Sequence, residues 1–507
     1  MFKLINSSKK RLSKMEHGQV LVIVAFAIVG LVAIIGLALD VGTMFIQYAR
    51  LRRAVDSAAL AAALQIREGY DPANLAPAAE DFLNLNGIQT TAVSVEYCHL
   101  DTNLPADLCP TPPRKLVRVT AAANAQLNFL AVIGINSVPI AATATSETAS
   151  IDMVLVIDRS ESMTYDFAVG QTDGSGRQMR DPSVCNAVDS PHFYTDSGGV
   201  NHFYTGDCLP FDTVKDSAIK FVNKFMFEPY DRVAVISFAK DAKYNLDFSN
   251  DKDTVLEEIA NLTVYEGDES IGDHSGASAI YPIGNPSRYY DTVSGNYLGL
   301  NCPFAFLPAV PADANNPSYC TTTNLGGGLL DAGTEFSGGS TGTGIVRQNA
   351  LWVVVLLTDG VANAGYGGNP QAYYCPGPTV DNTWFGGPTV PFLCNDGLSS
   401  TRHGPPNTDP THYDAEDYAY DMADFVGKPS DQGGQGAYLY TIGLGPQVVL
   451  PSPVFDTTTG KNDLLGQDFL QYAATVGNGI YYPAPTSAEL SNIFQAIADN
   501  IATVLTK

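Results

Sequence analysis

The sequence predicts an α/β protein in which a doubly wound, mostly parallel sheet follows a transmembrane helix and a small α+β domain. Three patterns predict this architecture: an uncharged apolar run at 18–39, mixed helix-like and strand-like segments over 70–150, and short apolar runs alternating with amphipathic helices over 151–507. Continuous apolar runs of four to eight residues are typical of parallel strands that are buried on both faces of a sheet.

The composition limits the classes of function. The chain has 507 residues with 28 Lys+Arg and 53 Asp+Glu, which gives a formal net charge of −25. This balance argues against nucleic acid as a partner, because a nucleic-acid site needs a basic face. Apolar residues make up 45% of the chain, which excludes a wholly disordered protein. The 46 Gly and 31 Pro predict long, turn-rich loops between ordered elements.

Residues 18–39 form the first predicted element, a transmembrane helix. These 22 uncharged residues would span about 33 Å, enough for a hydrocarbon core of about 30 Å. A cleaved signal peptide is the alternative, but the run exceeds the usual apolar region of about 7–15 residues and no A-x-A site follows it. Basic residues within 1–17 predict a cytoplasmic N-terminus and an extracytoplasmic bulk. We therefore expect a single-pass protein of the cell membrane.

The helix is expected to continue beyond the membrane over 40–69, because this stretch is rich in Ala, lacks Pro and reaches a stop signal at Gly69. Residues 70–150 combine a short helical stretch with strand-like runs such as TAVSVEYC and KLVRVTAAANA. They predict a small α+β domain that is built on the helix.

Three short stretches of the N-terminal region are shared with a known family. They are the Gly-Gln that opens the apolar run, GLALDVG at its end, and RLRRAVDSAALAAAL after it. The region resembles the TadE/TadG-like proteins of tight-adherence (Tad, Flp) pilus assembly, which implies pilus-assembly components as partners. Processed members carry Glu five residues after the cleavage-site Gly, whereas Ile23 follows Gly18 at that distance. This departure favours a permanent anchor over a cleaved filament subunit.

All eight cysteines follow the apolar run. Taken in order they form four neighbouring pairs, whose members are 11, 23, 18 and 19 residues apart. This spacing favours four local disulfides in an oxidising compartment over reduced thiols in a cytosolic protein. The predicted pairs are Cys98 with Cys109, Cys185 with Cys208, Cys302 with Cys320, and Cys375 with Cys394.

The region 151–507 alternates strands with helices, as in a doubly wound sheet. Core strands are predicted at 151–158, 232–239, 351–360 and 437–445, with an edge strand at 245–249 and a last strand in GIYYPAP. Helices lie between them, and Asp253 is the candidate N-cap of the helix DTVLEEIANL. The closing helix is expected to bury Leu490, Ile493, Phe494, Ile497 and Ile501.

Oxygen-bearing side chains come together at the carboxyl ends of these strands, where ligands of open α/β sheets bind. Asp158, Ser160 and Ser162 follow the first core strand, Thr323 introduces a helix, and Asp359 ends the third core strand. Hard oxygen ligands suit Mg²⁺ or Mn²⁺ better than zinc. The alternative is that the DRSES segment, considered by itself, is only a capped helix turn in which a serine hydroxyl bonds to helix N–H groups. Glu161, between the two serines, is expected to point to solvent.

These residues resemble the metal-ion-dependent adhesion site (MIDAS) of von Willebrand factor type A domains, which have a Rossmann-like fold. The family pattern D-x-S-x-S matches Asp158, Ser160 and Ser162, while Thr323 and Asp359 match its threonine and its T-D-G aspartate. The resemblance implies that the hydroxyls bind Mg²⁺ or Mn²⁺, with Ca²⁺ less favoured, and that the two aspartates hold the ion directly or through water. At most two carboxylates face the divalent ion and the other ligands are neutral, so a vacant position would attract a carboxylate of a protein or surface ligand.

Three insertions, at approximately 165–209, 264–320 and 361–411, surround this edge and each contains one predicted cysteine pair. Long loops are usually functional or disordered, so their aromatic residues suggest a recognition surface. The alternative is that the aromatics fill small cores within the loops. The residues concerned are Tyr194, Tyr204, Tyr289, Tyr290, Tyr374 and Trp384.

The leading hypothesis is a non-enzymatic, membrane-anchored adhesion or binding protein associated with pilus assembly. The alternative is a structural or assembly component in which the metal only stabilises the loops. A metal-dependent hydrolase is a third possibility, but the sequence places no general base or nucleophile beyond the site itself.

Overall fold

The computed structural model describes residues 17–66, 72–98, 107–110, 113–164, 182–187, 189–206, 208–239, 242–266, 288–290, 297–300, 323–362, 398–399, 402–403, 413, 415–452 and 455–505. The chain divides into two compact units, Met1–Thr148 and Ala149–Lys507. Each unit has its own sheet.

The first unit begins with a single long helix, α1 (His17–Ala63). Within the described residues it is the one helix that is long and apolar enough to cross a membrane, and its apolar stretch is almost entirely exposed. The helix ends at Ala63, before the predicted stop at Gly69, because a turn in which Ile66 N donates to Ala63 O follows it. Gly69 itself lies outside the described residues.

The rest of the first unit is the predicted small α+β domain. Helix α2 (Leu75–Leu85) buries Leu75, Ala79 and Leu83. Strands β1 (Thr90–Tyr97), β2 (Lys115–Gln126) and β3 (Ser137–Thr148) form an antiparallel sheet in the order β1-β2-β3. Alternate side chains of β2 are buried, as the two-residue period of a strand with one covered face requires.

Asp40 fixes the connection between β2 and β3 to α1. The Asp40 carboxylate accepts hydrogen bonds from the backbone N–H groups of Asn128 (2.8 Å), Phe129 (3.0 Å) and Leu130 (2.7 Å). Two turns further along α1, Gln47 pairs with the backbone of Gln126 through an N–H···O bond in each direction, at 3.0 and 3.1 Å. These contacts join positions about 80 to 90 residues apart in the sequence.

The second unit contains the predicted doubly wound sheet. Its chain order of strands is β4 (Ile151–Asp158), β5 (Asp189–Thr195), β6 (Asn201–Thr205), β7 (Arg232–Phe238), β8 (Ala242–Ser249), β9 (Arg288–Tyr290), β10 (Tyr297–Leu300), β11 (Leu351–Thr358), β12 (Tyr438–Leu444), β13 (Phe455–Asp456), β14 (Lys461–Asn462) and β15 (Tyr481–Ala484). The main sheet has the order β15-β12-β11-β4-β7-β8, and β8 alone among its strands runs antiparallel to its neighbour. In chain order this is 3-2-1-4-5-6 from the β8 edge, the order of a doubly wound sheet. The predicted fold class is confirmed.

Helices cover both faces of this sheet. They are α3 (Pro182–Asn186), α4 (Phe211–Phe225), α5 (Lys252–Ala260), α6 (Leu325–Glu335), α7 (Ala415–Gly427), α8 (Leu465–Val476) and α9 (Leu490–Leu505). One hydrophobic core lies between the sheet and α4, α5 and α9, and a second lies between the sheet and α6, α7 and α8. The five side chains expected to face inward from α9 are all buried.

Helix α5 is capped by a different residue from the one expected. Asp251, rather than Asp253, is the N-cap, and its carboxylate accepts hydrogen bonds from the N–H groups of Asp253 (3.1 Å) and Thr254 (3.3 Å). The reason is the backbone: Asp251 has the extended conformation that an N-cap needs, whereas Asp253 is already in the first turn.

At the C-terminal end of α6, Glu335 is buried beside the edge strand β8. Its Oε1 accepts a hydrogen bond from Phe248 N (2.6 Å), and its side chain is 4% exposed. Burial, and then the neighbouring Asp247 carboxylate, raise the pKa of Glu335 to about 7, against the lowering effect of the Phe248 hydrogen bond. The folded protein therefore holds a proton that the unfolded chain releases at lower pH.

Glu335→Gln should remove a pH-dependent loss of stability. The free energy of unfolding of the wild type should fall as pH rises from the ordinary glutamate range to about 7, because the raised pKa belongs to the folded state alone. The glutamine is uncharged and still offers an acceptor to Phe248 N, so it should gain stability on the order of 2 kcal/mol at pH 8 and almost none at pH 5. Urea unfolding at the two pH values measures the difference. Glu257→Gln, on the exposed face of α5, is the control, and an equal effect of the Glu335 variant at both pH values would contradict the assignment.

Asp40→Ala should release the connection between β2 and β3 from α1. Three backbone N–H groups lose their acceptor. Hydrogen exchange of the amides of residues 128–130 should therefore become about 10- to 100-fold faster. Asp56→Ala, at an exposed position of the same helix, should leave these amides unchanged. Unaltered exchange in Asp40→Ala would show that the carboxylate does not hold the connection.

Candidate metal centre

The candidate centre is formed where three segments meet at the carboxyl edge of the main sheet. Strands β4 and β11 are parallel neighbours, with Ile157 beside Leu357, so Asp158 and the residues after Thr358 emerge side by side. Ser160 and Ser162 follow β4 in a tight turn, and Thr323 lies two residues before the start of α6. The topology therefore brings these distant parts of the sequence to one edge.

A chain of hydrogen bonds connects the serines to both aspartates. Ser160 N donates to Asp158 Oδ1 (2.8 Å), the hydroxyls of Ser160 and Ser162 are 2.9 Å apart, and Ser162 Oγ donates to Asp359 Oδ1 (2.7 Å). The last bond spans 197 positions in the sequence. A capped turn of DRSES alone does not account for this bond, because its acceptor lies in the segment that follows β11.

Thr323 lies against the same segment. A Cβ on Gly360, the residue after Asp359, would be 3.2 Å from Thr323 Oγ1. The next residue, Asn324, acts as the N-cap of α6, since its Oδ1 accepts a hydrogen bond from Gly327 N (2.8 Å). The capping role belongs to Asn324, so Thr323 is not needed for it.

Thr358 also belongs to this network, although it was not among the site residues predicted from the sequence. Its hydroxyl donates to Asp158 Oδ2 (2.6 Å) and accepts from Gly360 N (3.1 Å). Thr358 thus holds the Asp158 carboxylate from β11 and ties it to the loop that carries Asp359. The signal available in the sequence was a polar residue at the end of an otherwise apolar strand, directly before Asp359.

The five side chains expected to form the site are all buried. They are 0 to 3% exposed: Asp158, Ser160, Ser162, Thr323 and Asp359. Burial raises the pKa of Asp158 to about 6, although hydrogen bonds from Ser160 and Thr358 lower it. Within the described residues Asp158 makes no ion pair with a lysine, an arginine or a histidine. The site thus buries carboxylate charge beside neutral hydroxyls.

This donor set fits a hard divalent cation. It offers hydroxyl and carboxylate oxygens, the ligand types of Mg²⁺ and Mn²⁺. In the part of the chain that the structure describes, no group of three or more His, Cys, Asp or Glu could hold a metal ion. A metal at this edge would therefore depend on Ser160, Ser162 and Thr323 as much as on the two carboxylates.

Glu161 does not point to solvent as expected. Residues Glu161–Thr164 form a 3₁₀ turn in which Thr164 Oγ1 donates to Glu161 O (2.9 Å), and Glu161 is 1% exposed. The expectation was wrong because the segment folds back as a compact turn instead of extending into the following insertion.

The prediction that the aromatic residues of the first insertion form a recognition surface is partly wrong. Tyr194 and Tyr204 lie on the hairpin of β5 and β6 and are buried in the core beside α4. Phe193 and Phe203 point the other way and are 47% and 70% exposed, with ring centroids 5.4 Å apart. The alternation follows from the two-residue period of a strand. Tyr374, Trp384 and the side chains of Tyr289 and Tyr290 lie outside the described residues.

Two disulfides occur within the described residues, Cys98–Cys109 and Cys185–Cys208. They are two of the four local pairs favoured by the spacing. The other two pairs, Cys302 with Cys320 and Cys375 with Cys394, lie outside the described residues.

Comparisons with known proteins give one family and several distant structures. Residues 18–65 match the family described as putative Flp pilus-assembly TadE/G-like, which confirms the resemblance inferred for this segment. No curated protein matches the chain.

The solved structures that match include von Willebrand factor domains. One is the vWF domain of the type V pili tip protein Mfa5 from Porphyromonas gingivalis, at 16% identity and a TM-score of 0.36, covering 71% of this chain and 98% of that one. Others are the PilB minor pilin from Streptococcus sanguinis (15% identity, TM-score 0.36, 82% of this chain and 78% of that one) and BatB from Bacteroides thetaiotaomicron (12%, 0.31, 71% and 100%). The likenesses are distant, and the fold is established by the strand order.

Thr358→Val should destabilise the second unit in the absence of any metal. The variant keeps the side-chain shape but leaves Asp158 Oδ2 without this donor and Gly360 N without its acceptor. The expected loss in the free energy of unfolding is about 1–3 kcal/mol. Urea unfolding in the presence of a chelator measures this loss. Thr358→Ser keeps the hydroxyl and should stay within about 1 kcal/mol of the wild type, whereas equal losses in both variants would point to packing instead.

Proposed function

We propose that this chain is a membrane-anchored, extracytoplasmic binding protein of Tad/Flp-type pilus assembly, which holds an acidic group of a protein or surface ligand through a divalent cation. The observation that carries the proposal is the hydrogen bond from Ser162 to Asp359. It joins two segments that are far apart in sequence into one buried cluster of hard oxygen donors. Asp158, Ser160, Ser162, Thr323 and Asp359 would hold the ion, with Mg²⁺ or Mn²⁺ preferred over Ca²⁺.

The donor set explains why an acidic ligand is proposed. Ser160, Ser162 and Thr323 are neutral, and at most two ionised aspartates oppose the charge of the ion, so the site has no surplus negative charge that would repel a carboxylate. Five donors leave one position of an octahedral shell open, and a carboxylate from a partner would complete the coordination. The metal supplies the positive charge, and the chain supplies a rigid and buried set of donors that positions it.

The anchor and the topology rest on separate observations. Helix α1 exposes an apolar stretch that is long enough to cross a membrane, and the match at 18–65 is to a pilus-assembly family. Lysines before the apolar run support a cytoplasmic N-terminus. The disulfides at Cys98–Cys109 and Cys185–Cys208 support an oxidising, extracytoplasmic location for both units beyond the apolar run.

The role is proposed as non-enzymatic. A serine nucleophile needs a base that takes its proton, commonly a histidine. The hydroxyls of Ser160 and Ser162 instead bond to each other and to Asp359, which supports the proposal that they are metal ligands.

Calorimetric titration of the full chain in lipid nanodiscs with Mg²⁺ and Mn²⁺ tests the metal site. The wild type should bind one ion, and Asp359→Ala should weaken binding at least about 10-fold, or about 1.4 kcal/mol. Asp431→Ala is the matched control, because it makes the same substitution at an exposed position before β12, at the amino ends of the parallel strands. A folded wild type that binds neither ion would exclude the metal-dependent role.

A second titration separates binding from a purely structural role. Acetate added to the Mn²⁺-loaded protein should bind, and the binding should disappear on chelation while circular dichroism stays unchanged. If the metal binds but acetate does not, and chelation only lowers the unfolding temperature, the metal stabilises the loops and the chain is a structural or assembly component.

A further inference from the structure

The connection between β2 and β3, residues 127–136, is here called the apolar loop. Its sequence LNFLAVIGIN has no charged residue. Four of its large apolar side chains are exposed: Phe129 by 45%, Val132 by 84%, Ile133 by 72% and Ile135 by 45%. Exposed apolar side chains gathered in one short loop indicate an interaction surface.

The position of the apolar loop identifies the environment that this surface meets. The Phe129 ring packs on Gly36, where an added Cβ would come within 2.8 Å of the ring, and Asp40 binds the amides of residues 128–130. Gly36 belongs to the uncharged run 18–39, and Asp40 is the first charged residue after it. Four helical residues rise about 6 Å, so Phe129 lies about one turn inside the apolar stretch of α1.

The backbone of the apolar loop is prepared for a water-poor environment. Asp40 accepts from three of its amides, and a 3₁₀ helix over Leu130–Ile133 uses others. Leu127 N donates to Asn136 O, and Ile135 N donates to Leu130 O, with Gly134 at a positive φ of 91° between them. Backbone groups must find internal partners in lipid, because no water is available to satisfy them there.

We infer that the apolar loop inserts into the bilayer that α1 crosses, on the C-terminal side of the apolar stretch, as a second membrane contact of the first unit. This inference rests on the proposed membrane anchor. Continuity supports lipid as the occupant, because the exposed side chains of the loop adjoin the exposed apolar surface of α1 at Gly36. Asp40 fixes the apolar loop to α1 and Gln47 fixes the end of β2 to it, so the sheet of the first unit would be held at a defined height above the membrane.

The test uses tryptophan substitutions in the full chain, reconstituted in phosphatidylcholine vesicles whose acyl chains carry bromine, a contact quencher. Val132→Trp reports on the apolar loop, and Phe26→Trp on the middle of the apolar stretch of α1. Leu64→Trp is the negative control, because Leu64 is exposed and lies just beyond the C-terminal end of α1, away from the apolar stretch. Difference fluorescence against the wild type removes the contribution of the two native tryptophans.

The expected result is a loss of fluorescence for Val132→Trp that is comparable with Phe26→Trp and is strongest when bromine lies near the headgroup end of the chains. Leu64→Trp should stay at background. If Phe26→Trp is quenched but Val132→Trp is not, the inference is wrong and the anchor stands. If neither is quenched, the membrane anchor fails and the inference fails with it. A Val132→Trp signal that changes with the protein-to-lipid ratio, without bromine quenching, would assign the surface to a second copy of the chain.

Discussion

The burial of carboxylate charge at both ends of β4 is the constraint on which the second unit depends. At the start of the strand, Asp152 is buried and paired with the guanidinium groups of Arg232 and Arg347. At its end, Asp158 is equally buried but is held by Ser160 and Thr358. A buried carboxylate is costly unless an opposite charge or a set of hydrogen bonds compensates it. At the first end the two arginines compensate the buried carboxylate. At the second end, we propose, a divalent cation bound from solution compensates it.

Much of this arrangement could be predicted from the sequence, because the signals are local. The central strands are continuous apolar runs, and each of the three site segments lies where a strand ends or a helix begins. The Ser160–Ser162 spacing, Thr323 and Asp359 are therefore recognisable without coordinates. Alternating strands and helices then predict a doubly wound sheet, whereas its strand order is known only from the structure.

The details that could not be predicted depend on contacts across long sequence separations. Thr358 binds Asp158 across 200 positions, and nothing near Thr358 in the sequence indicates that partner. Glu161 was expected at the surface because the family pattern leaves its position variable, but the compact turn after β4 buries it. The orientation of the β5–β6 hairpin, which decides that Tyr204 is buried and Phe203 exposed, also depends on its packing against α4. The GLALDVG segment also depends on distant contacts. The Phe129 ring packs on Gly36, and Asp40 accepts hydrogen bonds from the same loop, about 90 residues later in the sequence.

The proposal depends on a divalent cation held at this carboxyl edge between the hydroxyls and the carboxylates. Anomalous diffraction from crystals of the full chain grown with Mn²⁺ would locate such an ion. We expect one strong anomalous peak within coordination distance of Ser160 Oγ and Ser162 Oγ, with Thr323 and the two aspartates around it directly or through water. A well-occupied peak elsewhere in the chain, with this cluster empty, would show that the proposal is wrong.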